Sequence, residues 1–153
     1  MPTVRPERAR LAGETLRFMQ RMWDLAHALD VRSKRMARSL GVTGPQRLVI
    51  RVLGRSPAST ASGISSTLGM HPSTLTGILS RLERQGLIER KSDDVDRRRM
   101  RFRLTRKGIA IDRERTGTVE AAVRRALARG GEVTVQRTLE MFDIMIAELV
   151  RED

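Results

Sequence analysis

Cysteine is absent from the 153 residues of this chain. Without thiols the chain can form no disulfide framework, cysteine nucleophile, thiol redox sensor or cysteine-ligated zinc site. Histidine occurs only twice, at His27 and His71, which makes either residue a weak candidate for a metal ligand. We therefore expect no metal site and no other cofactor.

Long hydrophobic runs are also missing. A transmembrane helix needs roughly 18 consecutive apolar residues, whereas arginine or aspartate interrupts the apolar stretches here every few positions. The first six residues, Met1 to Pro6, are not followed by the apolar segment of a secretory signal. These features favour a cytoplasmic protein that makes no membrane contact.

Aromatic side chains account for only 3% of the chain, and tyrosine is absent. The four aromatic residues are Phe18, Trp23, Phe102 and Phe142. Proteins that bind single-stranded nucleic acid stack the bases on several aromatic side chains, which this chain cannot supply. Binding of a duplex through charge and groove shape is not excluded.

Acidic residues are few, with 18 against 30 lysines and arginines, and the net charge is +12. Such an excess attracts polyanions over a long range, so nucleic acid or an anionic membrane face is implied. The sequence has no glycine-rich phosphate loop and no serine nucleophile motif, which are signs of common enzyme classes. We therefore expect a binding protein and not an enzyme.

Helical periodicity dominates the first half of the chain. Apolar residues spaced by three and four predict a long first helix over residues 14–40, while residues 1–13 lack this period and predict a loosely held N-terminal arm. Thr43, then Ser59 or Thr60, and then Pro72 are expected to begin three further helices. The stripe of the first helix consists of Phe18, Met22, Leu25 and Leu29.

The period changes from helical to alternating after Gly86. Met100, Phe102 and Leu104 are interleaved with arginines, which predicts a β-hairpin with one apolar and one basic face. Thr105 is expected to cap a fifth helix that continues to Gly130, and a last helix follows. The predicted order is four helices, a hairpin and two helices.

Two short helices joined by a glycine-containing turn and followed by a basic hairpin form the layout of a winged helix-turn-helix. The predicted fold class is therefore mainly α with a small antiparallel β-hairpin wing. If the apolar stripe of the fourth helix faces the core, its outward face is small, hydroxylated and basic, and Arg81 could contact guanine in a major groove. The alternative is a solvated polar face. The outward residues are Ser73, Thr74, Thr76, Gly77, Ser80, Arg81 and Arg84.

The loop of the hairpin is rich in arginine. Asp96 lies two residues before Arg98, and an aspartate in this position can hold a guanidinium by a charge-assisted hydrogen bond. Arginines presented in this way suit a narrow minor groove. The alternative is a solvated tip whose charges only pair with one another. The candidate DNA-binding residues of the loop are Asp96, Arg97, Arg98 and Arg99.

The segment from Leu82 to Arg90, LERQGLIER, is followed by Asp96-Arg97-Arg98 and by Leu104-Thr105-Arg106-Lys107-Gly108. This order and spacing resembles the signature of MarR-type transcriptional regulators. The resemblance implies a triangular homodimer in which the first and last helices interlock and two winged lobes straddle double-stranded DNA. It also implies that Arg98 reaches the minor groove and that Asp96 orients it.

The long terminal helices would expose apolar stripes on a monomer. An isologous two-fold interface would bury them, and packing on their own domain is the alternative. We expect a division into an N-terminal arm, 1–13, a dimerisation helix, 14–40, a winged helix-turn-helix DNA-binding domain, 43–108, and C-terminal helices that link the lobe to the dimer interface, 109–153.

Small aromatic or phenolic effectors often bind MarR-like proteins between the dimerisation helices and the DNA-binding lobe. Trp23 and His27, one helical turn apart, are candidate ligand-binding residues, and Arg47 and Arg51 could counter an anionic effector. Core packing of Trp23 and solvation of the arginines are the alternatives.

The sequence thus predicts a sequence-specific regulator of transcription, with repression favoured over activation, that an effector could release from DNA. A dimer with two recognition helices requires an imperfectly palindromic operator. A non-specific architectural or nucleoid-type DNA-binding protein is the alternative, because charge alone gives affinity without sequence preference.

Overall fold

The computed structural model of the chain describes the backbone of residues 5–151 and the side chains of residues 13–151. It contains two compact units that meet in sequence between Glu114 and Arg115. None of the helices within residues 5–151 has the length and apolar character that crossing a membrane requires. The helices are α1 (Arg5–Leu40), α2 (Gly44–Arg55), α3 (Ala61–Leu68), α4 (Pro72–Arg84), α5 (Arg106–Arg113), α6 (Val119–Gly130) and α7 (Glu132–Leu149), and the strands are β1 (Ser59–Thr60), β2 (Ile88–Ser92) and β3 (Met100–Leu104).

Threonine caps set the starts of three helices in the first unit. Thr43 and Gln46 form a capping box before α2, in which the Gln46 Oε1 accepts the Thr43 N–H at 2.8 Å. The hydroxyls of Thr60 and Thr105 accept the N–H groups of Gly63 and Gly108 and so begin α3 and α5. The predicted caps at Thr43, Thr60 and Thr105 are confirmed.

One apolar core lies between α2, α3, α4 and the inner face of the sheet. The predicted apolar stripe of the fourth helix is confirmed, since all of its residues are buried: Leu75, Ile78, Leu79 and Leu82. Leu82 is fully buried, and burial of a leucine side chain contributes about 1.5–3 kcal/mol to folding. The core residues are Val42, Val49, Ile50, Leu53, Ile64, Leu75, Ile78, Leu79, Leu82, Leu87, Ile88 and Phe102.

The predicted hairpin is part of a three-stranded antiparallel sheet with the order β1-β3-β2. Strand β1 pairs Ser59 with Phe102 and Thr60 with Arg101. It was not predicted, because a two-residue strand is too short to show an alternating pattern. Its second residue is also the N-cap of α3, whose extended backbone allows the pairing. The predicted class, mainly α with a small antiparallel sheet, is confirmed.

Helix α1 begins at Arg5 and therefore includes most of the predicted N-terminal arm. Met1 to Val4 lie outside the described residues. Proline at position 6 falls in the first turn of the helix, where its missing N–H removes no intrahelical hydrogen bond. Residues 5–13 are thus helical, where the sequence predicted a loosely held arm.

The prediction of one continuous helix from Thr105 to Gly130 is wrong. Helix α5 ends at Arg113, and α6 begins at Val119. Gly117 has a φ of 69°, which a helix cannot contain, and the Thr118 hydroxyl accepts the Ala121 N–H at 3.2 Å to start α6. The apolar period resumes across this break, which is why the sequence pattern did not reveal it.

The end of α5 is bonded by Arg47 of α2, whose side chain is only 1% exposed. Its guanidinium donates to the carbonyl oxygens of Ile111, Asp112 and Glu114, the last at 2.7 Å. The final carbonyls of a helix have no partner within the helix, so a buried cation with several donors satisfies them. Arg47 thereby bonds the carbonyl oxygens at the end of α5 to α2.

Gly108 gives a test of how closely the start of α5 packs against Leu87. A methyl group there would collide with the Leu87 carbonyl, so Gly108→Ala should lower the free energy of unfolding by about 1–3 kcal/mol, as overpacking does. The measurement is chemical denaturation of the full chain.

Gly63 is the matched control, because it occupies the same position after a threonine cap in α3. A methyl group at Gly63 meets nothing closer than the Thr60 Oγ1 at 3.4 Å, so Gly63→Ala should be neutral or stabilising by up to about 1 kcal/mol. Equal effects of the two substitutions would contradict the close contact between Gly108 and the Leu87 carbonyl.

Candidate nucleic-acid interface

Helix α4 presents a continuous polar face to solvent. All seven residues predicted to face outward are exposed, and the intervening leucines and isoleucine are buried. The only acid of the helix is Glu83, and its Oε1 lies 3.2 Å from the Arg90 Nε. The exposed face of α4 therefore carries hydroxyls and guanidiniums, and its one carboxylate is paired to the side.

His71 caps α4 at its N-terminus. Its Nδ1 accepts the Ser73 N–H at 3.3 Å and lies 2.7 Å from the Ser73 Oγ. Pro72 occupies the first turn, where its fixed φ favours a helix. His71 is therefore the N-cap of α4.

The turn between α3 and α4 depends on Gly69, which has a φ of 59°. After it the Met70 N–H donates to the Ser65 carbonyl at 3.1 Å. This left-handed C-cap reverses the chain within a few residues, so that α4 packs against α3. The two helices form the expected helix-turn-helix arrangement.

The base of the wing is bonded to the end of α4. The Thr105 N–H donates to the Leu87 carbonyl at 3.0 Å, and the Thr105 hydroxyl donates to the Gly86 carbonyl at 2.7 Å. The Lys107 ammonium donates to the Gln85 carbonyl at 3.1 Å. The residues that follow α4 are thus hydrogen-bonded to the residues that follow β3.

The hairpin that β2 and β3 form has two faces of different character. In the register, Ile88 pairs with Leu104, and Lys91 pairs with Arg101. Phe102 is buried against the core, whereas Arg101 and its cross-strand neighbour lie on the opposite face. The predicted apolar and basic faces of the hairpin are confirmed.

Asp93 organises the loop that joins these strands. Its Oδ1 accepts the Val95 N–H at 2.8 Å and the Asp96 N–H at 3.5 Å, and its own N–H donates to the Arg99 carbonyl at 2.8 Å. The residue is only 6% exposed, whereas Val95 is 97% exposed. The loop is therefore shaped by hydrogen bonds and not by apolar packing.

Asp96 acts differently from the expectation that it holds the Arg98 guanidinium. Its Oδ1 accepts the Arg98 backbone N–H at 3.1 Å, and its Oδ2 lies 3.4 Å from the Arg99 Nε. Asp96 thus fixes the backbone of Arg98 and the side chain of Arg99. Arg97 and Arg98 are exposed at the tip, and their contact with DNA stays a prediction.

Arg101 has a role that the sequence did not reveal. Its Nε pairs with the Asp93 Oδ2, and its Nη1 donates to the Ala58 carbonyl at 2.9 Å. Ala58 lies in the loop before β1 and has a φ of 64°, which is unusual for a residue with a side chain. In the sequence Arg101 looked like one more arginine of the basic face.

The candidate ligand-binding residues have different surroundings in the single chain. Trp23 is 65% exposed on α1, and His27 is also exposed. Arg47 is bonded to the end of α5, and the Arg51 Nη1 lies 2.7 Å from the Asp112 Oδ1. These bonds argue against Arg47 and Arg51 as partners of an anionic effector, and a ligand site at Trp23 and His27 stays a prediction.

The hydrogen bonds of Asp93 have a pH consequence. The Val95 N–H, and then the Arg101 guanidinium, hold the pKa of Asp93 below its usual value. A carboxyl group whose pKa is lower in the folded state stabilises that state fully above its unfolded pKa of about 3.9. This contribution is lost as the pH falls through the lower folded pKa.

We expect the wing loop to lose its order in acid, below about pH 4, and to stay unchanged between pH 6 and 8. Amide exchange and chemical shifts of Val95 and Arg101, followed by NMR across the titration, measure this. Asp93→Asn should remove the transition. A transition of the same size in that variant, or an Asp93 pKa at its usual value, would contradict the assignment.

Comparison with known proteins agrees with this architecture. The Homoprotocatechuate degradative operon repressor of Escherichia coli is 28% identical over 106 residues, which cover 69% of this chain and 72% of the repressor. The Organic hydroperoxide resistance transcriptional regulator of Bacillus subtilis is 35% identical over 72 residues, 47% of this chain and 49% of that protein.

A crystal structure of S. aureus MepR in complex with DNA has the same fold, with a TM-score of 0.71 and 22% sequence identity. The match covers 86% of this chain and 96% of MepR. The sequence model of the MarR family matches residues 40–99, which include α2, α3, α4, β2 and the wing loop. Residues 40–99 thus resemble the MarR family in sequence, and the chain shares the fold of the solved MepR structure.

Proposed function

We propose that this chain is a cytoplasmic homodimer that binds a palindromic operator in double-stranded DNA and represses transcription. The observation that carries the proposal is the exposed face of α4, which is basic and hydroxylated and has its one acid paired to the side. The E. coli relative is named a repressor and the MepR structure is a DNA complex, which supports the same assignment here.

In this proposal α4 lies in the major groove. Serine and threonine hydroxyls can bond to base edges or phosphates, and Arg81 can donate two hydrogen bonds to guanine O6 and N7. Gly77 fits this position, since a methyl group there would meet no atom of the surrounding described residues within 4 Å. Glycine at this position costs the helix about 0.5–1 kcal/mol relative to alanine. Packing within the chain does not explain why glycine occurs here, whereas close approach to DNA would.

The wing loop would reach the adjacent backbone and minor groove. Arg97 and Arg98 are exposed at its tip, and the minor groove attracts arginine through its negative potential. The bonds that Asp96 makes to the Arg98 backbone and the Arg99 side chain would set the direction from which these arginines approach. Residues 43–108 thus supply the contacts to one half-site.

The terminal helices would supply the dimer interface. None of the α7 side chains is buried, and Ile146 and Leu149 are 60% and 74% exposed. On α1, Leu16 and Leu25 are also exposed. Apolar surface of this extent is rare on monomers, and a second copy related by a two-fold axis covers it with the same surface.

The DNA-binding proposal predicts a large preference for particular duplexes. Selection from a random duplex library with the full chain should yield an imperfect palindrome with half-sites about one helical turn apart. Fluorescence anisotropy at fixed salt should then show at least about 10³-fold tighter binding to it than to a scrambled duplex. Recovery of no common sequence would favour the nucleoid-type alternative.

Arg81→Ala should reduce the preference for one base pair in each half-site by about 1–3 kcal/mol. The control is Arg129→Ala, which removes the same charge from the last turn of α6, outside residues 43–108, and should keep the preference. Intact base preference in the Arg81 variant would show that this residue contacts only the backbone.

The dimer proposal predicts a concentration-independent dimer at micromolar protein, measured by sedimentation equilibrium. Ile146→Glu should produce monomers, because a carboxylate in an apolar interface is costly. Arg137→Glu is the control, since at about 100° per residue it lies on the opposite side of α7 from Ile146. A monomeric wild-type chain would contradict the proposal, as would equal effects of the two variants.

A further inference from the structure

We propose that Arg101 is a positioning residue of the wing. It would make no contact with DNA itself, and would hold the wing loop, through Asp93, where Arg97 and Arg98 can reach DNA. This inference rests on the proposed DNA-binding function. It adds a residue to the site, on the observation that one side chain joins the loop to the body of the lobe.

The position of Arg101 suits this role. It lies on β3, the middle strand of the sheet, opposite Lys91 on one side and Thr60 on the other. Its guanidinium reaches the Asp93 carboxylate at the start of the wing loop and the Ala58 carbonyl in the loop before β1. Two segments distant in sequence are thus joined across the outer face of the sheet.

The wing loop has little else to hold it. The hydrogen bonds that Asp93 and Asp96 make to backbone N–H groups stay within residues 93–99. Val95, the only apolar residue among them, is almost fully exposed. These bonds shape the loop but do not fix its direction relative to α4, whereas the bonds of Arg101 extend beyond the loop and the hairpin.

The chemistry of the link requires a guanidinium. Arg101 uses Nε toward Asp93 and Nη1 toward Ala58, so its donors point in two fixed directions. A lysine ammonium is a compact charge on a flexible stem and has no such fork. Retention of the positive charge alone should therefore not restore the link.

The ion pair with Arg101 also gives Asp93 a role in DNA binding. Without that pair, the negative charge of Asp93 would only repel an anion. On charge alone, removal of a carboxylate near DNA should tighten binding. If Arg101 positions the wing through Asp93, removal of this particular carboxylate should weaken binding. The two accounts predict changes of opposite sign, which makes Asp93 the decisive site.

The test compares Asp93→Asn with Asp94→Asn in the full chain, using the selected palindromic duplex and a salt series. Asparagine at position 93 can still accept the Val95 N–H, so the turn is kept while the charged pair is lost. Asp94 is the adjacent, exposed acid, and the same charge is removed there. We expect Asp93→Asn to weaken binding roughly ten-fold and Asp94→Asn to leave it unchanged or tighten it.

A second comparison uses Arg101→Ala and Arg101→Lys against Arg103→Ala, which removes a charge from the same face of β3. Both Arg101 variants should weaken binding without a change in the dependence of log K on log salt. A phosphate contact would instead lower that slope by about 0.9. Thermal unfolding of each variant is measured in parallel, and Arg101→Lys keeps the test informative if alanine unfolds the wing.

The outcomes separate the two proposals. Wild-type protein that does not bind DNA would overturn the proposed function and this inference with it. Wild-type protein that binds, together with Asp93→Asn that binds as tightly or more tightly, would overturn the inference alone. A slope lowered by one contact in Arg101→Ala, or full rescue by lysine, would also overturn it.

Discussion

The buried guanidinium of Arg47 is the interaction on which the arrangement of the first unit depends. A buried charge without partners would cost several kcal/mol, and the bonds that Arg47 makes to the last carbonyls of α5 offset this cost. The interaction therefore joins α2, which contacts most of the lobe, to the helix that follows the wing. These bonds lie at the end of the first unit, whose last residue is Glu114.

The wing is supported by carboxylates that accept hydrogen bonds, whereas the end of α5 is supported by a buried cation. It buries little apolar surface at its tip, and its shape comes from carboxylates that accept backbone and guanidinium hydrogen bonds. Acids of this strongly basic segment thus have structural roles, with Asp93 in the loop, Asp96 at the tip and Glu83 in α4. Net charge describes the attraction of the lobe for an anion, but these few acids determine where its arginines are placed.

The features that the sequence predicted correctly have local causes. The caps at Thr43, Thr60 and Thr105, and the buried stripe of α4, depend on residues within one or two turns, so composition and spacing reveal them. The bonds of Arg47 to the end of α5 join residues far apart in sequence, and strand β1 depends on pairing with β3. Arg101 was hidden for the same reason, since its partners, Asp93 and Ala58, become neighbours only when the sheet forms.

The bonds between the end of α4 and the base of the wing affect how the lobe could adapt to different operators. Thr105 and Lys107 tie the residues that follow α4 to the residues that follow β3, so the base of the wing is fixed to the end of the helix. On the proposed function, the spacing between a major-groove contact and its minor-groove contact is then built into each lobe. Tolerance of operators with unequal half-site separation has to come from movement of whole lobes.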